Sequence, residues 1–113
     1  MKIHQVKPQK HWPSGDSRPI AVLPFGIATL ADRYGLTFEE EIDDLDHYRL
    51  AAIQLSNGQQ AWLTRYESDP GPGTVVHIDR NADVEVAQSL LGKALGLKRI
   101  AFLWLAPIPA SAR

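Results

Sequence analysis

The sequence predicts an α+β domain: an antiparallel β-meander of three to four strands plus a C-terminal strand, with two helices packed on one face. Three observations predict it. Two runs of alternating character, residues 48–55 and 60–66, flank Asn57-Gly58. That dipeptide suits a type I′ hairpin, because both central residues of the turn need positive φ. Two other stretches, 25–34 and 83–95, carry apolar residues at helical spacing and each is followed by a glycine stop, Gly35 and Gly96. Finally, the β-branched run 74–78 and the apolar run 99–105 supply further strands.

Taken in order, residues 1–19 contain Pro8, Pro13, Gly15 and Pro19 without sustained periodicity. Proline fixes φ and removes a donor, so this stretch reads as an N-terminal arm packed on the domain, with a short strand at 2–6 and Trp12 as its pin. Residues 20–113 form the single α+β domain. Within it, 20–23 is a short buried extended piece between Pro19 and Pro24. The first helix places Ile27, Leu30, Ala31 and Tyr34 on one face. Residues 38–42 read as a strand, with a helix start as the competing reading, and 43–46 as a turn or irregular link. After the hairpin, the Asp69-Pro-Gly-Pro-Gly73 segment is a loop. Asp79, Asn81 or Asp83 caps the second helix, whose apolar face is Val84, Ala87, Leu90, Leu91, Ala94 and Leu95. The final run, 99–105, is apolar enough for a strand buried on both sides, and the second helix can carry it into a parallel position.

The length of 113 residues fits one domain, and at this size a chain buries roughly two thirds of its unfolded surface. Apolar residues at 44% and charged residues at 22% place it among ordered globular chains. The absence of cysteine excludes disulfides, thiolate zinc sites and cysteine nucleophiles. No apolar leader opens the chain, and the longest apolar stretch is about half of what crosses a bilayer. The expectation is a cytoplasmic, bacterial-type protein with no membrane partner.

Net charge is −1, which attracts neither nucleic acid nor an anionic surface. Its distribution is uneven. Over residues 1–18, Lys2, Lys7, Lys10 and Arg18 against Asp16 give +3, whereas over 32–46 seven acids against Arg33 give −6. Glu39, Glu40, Glu41, Asp43, Asp44 and Asp46 therefore form the leading candidate site, a negative surface for a basic protein partner. The bland reading is a solvated loop. No D-x-D-x-D-G spacing points to calcium, and no histidine spacing points to another metal.

His77, Asp79 and Arg80 are the second candidate, because His77 and Asp79 fall on one side of a strand and a carboxylate-oriented histidine begins a general-base pair. No nucleophile motif accompanies them, and no cofactor signature occurs anywhere, so catalysis is not the expectation. Trp62, Arg65 and Tyr66 read as core or as an interface hot spot. The function expected is a small protein-binding domain, an immunity- or antitoxin-type inhibitor being one form. The alternative is a ligand-binding protein or enzyme with a pocket near His77, Asp79 and Arg80. Self-association into a homodimer through an unpaired apolar strand is the third reading.

Overall fold

A computed structural model describes residues 3–7, 17–43, 46–69, 71 and 73–108. Its elements run β1 (Gln5–Val6), β2 (Ser17–Leu23), α1 (Ile27–Tyr34), β3 (Glu39–Asp43), β4 (Asp46–Gln54), β5 (Gln60–Tyr66), β6 (Thr74–Asp79), α2 (Val84–Leu95), a 3₁₀ turn (Arg99–Ala101) and β7 (Trp104–Leu105). The α+β class stands, with one antiparallel sheet of seven described strands rather than a meander of three or four plus one. The strand order is β1-β4-β5-β6-β2-β7, and β3 also pairs with β4. Trp12 and most of the expected arm lie outside the described residues, although β2 begins at Ser17, inside the stretch assigned to it.

The β4–β5 hairpin forms where expected, but its turn is different. Gly58 N–H donates to Leu55 O (2.9 Å), so the turn closes over Ser56-Asn57, with Gly58 in the left-handed region at φ 88°. A three-residue loop of this type replaces the two-residue type I′ turn. One residue of extra loop shifts the register, and Arg49 therefore opposes Arg65, flanked by Tyr48 opposite Tyr66 and Leu50 opposite Thr64. Residues paired in register share a face of the sheet. The face of Ala51, Ile53, Ala61, Leu63, Val76 and Ile78 is thus separate from that of Tyr48, Leu50, Ala52, Trp62 and Thr64.

The first of these faces packs with both helices. Leu30 and Tyr34 of α1, and Val84, Ala87, Leu91 and Leu95 of α2, join Ile20, Leu23, Ile53, Leu63, Val76 and Ile78 in the main core. Tyr34 Oη donates to Leu95 O (2.7 Å), tying the end of α1 to the end of α2. Asp83 caps α2, its carboxylate accepting from Val86 N–H at 3.0 Å, and Gly35 and Gly96 close the two helices in the left-handed conformation. On the other face, Tyr48, Leu50, Ala52 and Trp62 form a second buried cluster.

One expectation near the C-terminal end of the chain is corrected. The run 99–105 is no doubly buried strand: a 3₁₀ turn occupies its first part, and β7 has two residues, antiparallel to β2 at the edge of the sheet. Ile100 is 91% exposed, and Leu103 and Trp104 are also exposed. The physical reason is that the 3₁₀ turn breaks the run: Leu97, Phe102 and Leu105 pack on the main core, while Ile100, Leu103 and Trp104 point away from it. Residues 43–46, expected as a turn or irregular link, lie where β3 passes into β4. Asp43 and Asp46 are strand residues in register, closing a β3–β4 hairpin.

Candidate functional site

β3 runs along one half of the outer edge of β4, and β1 runs along the other half. The Gln5 side chain joins the two: its amide donates to Thr37 O (2.6 Å) and accepts from Thr37 N–H (2.9 Å), as a strand backbone would. This fixes the approach to β3 and so the register of the acidic residues. Glu39, Glu40 and Glu41 are all exposed. Alternation puts Glu39 and Glu41 on the face of Leu50 and Tyr48, and Glu40 on the face of Arg49. Glu40 alone of the three makes ion pairs, to His47 Nδ1 (3.5 Å) and Arg49 Nη2 (3.7 Å). Glu39 and Glu41 form none among the described residues. Asp46 accepts from Ser68 Oγ, Asp43 ends β3, and Asp44 lies outside the described residues.

Glu40, Arg49 and Arg65 form a row across β3, β4 and β5. The row floors a cleft of about 390 Å³, lined also by Ile27 at the start of α1, His47, Tyr48, Tyr66 and Glu67. Tyr48 and Tyr66 stack with ring centroids 4.8 Å apart. Arg65 donates from Nη1 to Gly73 O, which anchors the guanidinium to the loop before β6. Gly73 itself cannot carry a side chain, since a Cβ there would lie 2.5 Å from Leu23 O. Two like charges directly opposite on neighbouring strands cost stability, so this pair of arginines is held in place by its other contacts.

No family model, curated protein or solved structure matches the chain. The functional reading therefore rests on the geometry alone.

His77 opposes Trp62 in register and lies on the face away from the helices. Its Nε2 is 3.1 Å from Thr64 Oγ1, and burial lowers its pKa to about 4. Asp79 follows on the same face by alternation, but its carboxylate accepts from Asn81 N–H (2.9 Å) in the turn before α2, where Arg80 is exposed. The three residues line neither the Arg49–Arg65 cleft nor the grooves beside α2 and between β1 and β3. Among the described residues no cluster of three or more His, Asp or Glu is placed to hold a metal ion, and no helix is long and apolar enough to cross a membrane.

Trp62 is buried in the second cluster, its Nε1 donating to Gln60 Oε1 at 3.1 Å. Tyr66 shares that face, and Arg65 points the other way into the cleft. The cleft escaped the sequence reading because His47, Arg49 and Glu67 belong to no motif. Their one signal is the hairpin register, and the type I′ turn would have set Arg49 opposite Tyr66 instead.

Proposed function

We propose that this chain is a binding domain that docks on the basic surface of a partner protein through the acidic edge formed by β3. The observation that carries this reading is the exposure of Glu39 and Glu41 on one face of an edge strand, without an ion pair among the described residues. Charges on an edge strand discourage unwanted strand pairing. A partner whose cations match Glu39 and Glu41 supplies the counter-charge that the described residues do not. Electrostatic matching of this kind accelerates encounter and orients the partner. An inhibitor that covers a basic active site, of the immunity or antitoxin type, is one form such a domain takes.

The test is association kinetics with a partner captured from native lysate. Glu39→Lys with Glu41→Lys should slow association about ten-fold or more at low salt, and raising the salt should narrow the gap. Equal association rates for both proteins would dismiss the acidic edge as a docking surface.

A second reading, self-association, is favoured by one observation. Ile100, Leu103 and Trp104 are exposed together beside β7, the last strand of the sheet. Apolar side chains exposed near an open sheet edge are what a second copy can cover.

A further inference from the structure

The Glu40–Arg49–Arg65 row is not explained by the acidic edge. Its two guanidiniums face the helix side of the sheet, along with Ala51 and Leu63, and so turn away from Glu39 and Glu41. Glu40 meets Arg49 at 3.7 Å, beyond hydrogen-bonding distance, and shares its charge with His47. Arg65 has no ion pair among the described residues, and its bond to Gly73 O uses one of the donors of a planar fork. Two arginines are thus fixed side by side in a cleft, with donors left over. Pockets that hold small organic ligands start at about 300 Å³, and this cleft measures about 390 Å³.

The remaining lining defines the ligand. A guanidinium fork matches a planar carboxylate. Glu40 and Glu67 add two carboxylates to the same walls, so the arginines and glutamates balance in charge. A dianion such as phosphate would meet that opposing charge. A small molecule carrying one carboxylate and one ammonium group would satisfy both. The apolar Ile27 offers surface to a short organic body.

We propose that the cleft binds a small zwitterion of the α-amino-acid type, its carboxylate received by Arg49 and Arg65 and its ammonium group by Glu67 and Glu40. The cleft and the docking edge share Glu40 alone, so either can fail without the other. The experiment is a titration of the ¹⁵N-labelled chain, followed by amide chemical shifts. The probes are the standard free amino acids, with acetate, ethylammonium and inorganic phosphate as single-function comparisons.

At least one amino acid should shift the amides of 47–49 and 65–67 at millimolar concentration or below, and bind about ten-fold or more tightly than acetate or ethylammonium. Arg65→Lys keeps the charge but loses the fork, and Glu67→Gln removes the ammonium partner. Each should weaken that amino acid about ten-fold while leaving the rest of the spectrum in place. If Arg65→Lys disturbs the fold through Gly73, Arg49→Gln takes its place. No shift at these amides with any amino acid, tighter binding of phosphate than of every amino acid, or unchanged affinity in the variants would each overturn the proposal.

Discussion

His77 shows what a single partly buried residue does to the whole stability curve. It sits between Trp62 and Thr64 on the sheet, and burial holds its pKa near 4. An unfolded histidine titrates near 6.5. The unfolded chain therefore takes up a proton at a higher pH than the folded one does. The stability that neutral His77 allows is complete above about pH 6.5, and declines as pH falls toward 4, where the folded state also protonates. The slope is at most about 1.4 kcal/mol per pH unit, and less here because the ring keeps some contact with water. Urea unfolding at pH 7.5 and 4.5 should show the wild type losing more stability than His77→Gln, whose amide can still reach Thr64. Parallel losses would mean that other groups govern the acid limb. The sequence placed this histidine on a strand, but its burial comes from neighbours contributed by β5.

Among the elements, α2 is the one whose inner face departs most from simple apolar periodicity. Gln88 occupies a buried position there, 3% exposed. Its Nε2 donates to Ile20 O (3.0 Å) and Ala106 O (2.9 Å), and its Oε1 meets Arg99 Nη1 at 3.4 Å. One side chain thus clips α2 to the bulged part of β2 and to the chain after β7. Gln88→Leu would keep the volume and leave two carbonyls without that donor, at a cost of about 1–3 kcal/mol. Hydrogen exchange should show the amides of Leu103 and Ala106, which donate to Val22 O and Ile20 O, losing protection ahead of the β4–β5 amides. Uniform loss across the sheet would assign Gln88 a general stabilising role instead. The apolar spacing of 84–95 predicted this helix, with Asp79, Asn81 or Asp83 as its cap, of which the structure uses Asp83; Gln88 falls at a polar position of that spacing. Its burial depends on β2 and the C-terminal segment arriving from elsewhere in the sequence.

At the scale of the molecule, the charged and apolar surfaces separate. The acidic strand β3 borders β4 at one side of the sheet, and three of the exposed apolar residues, Ile100, Leu103 and Trp104, lie in or next to β7 at the other. β7 is short and makes its described ladder with β2 alone, so its far side can accept another strand. Self-association through that edge predicts a mass that rises with concentration in sedimentation equilibrium. Ile100→Glu with Leu103→Glu should hold the chain at one copy over the same range. A wild type that stays at a single copy throughout would leave the apolar edge without this role.

What the sequence determined by itself is local. Alternation marked β4 and β5, a β-branched run marked β6, helical spacing and glycine stops marked α1 and α2, and the clustering of Glu39, Glu40 and Glu41 marked a charged surface. Each of these depends on neighbours a few residues apart, so the information lies within a short window. The tertiary structure alone decided the rest. It widened the sheet to seven described strands, because the ends of the chain pair with strands far away in sequence. It exposed half of the apolar run near the C-terminus, because a 3₁₀ turn and a two-residue strand let only Phe102 and Leu105 reach the core. It also set Arg49 against Arg65, through a turn one residue longer than the Asn-Gly dipeptide predicts. A one-residue change of register moves every side chain relative to its partner, and that is why a local turn preference could not reveal the cleft.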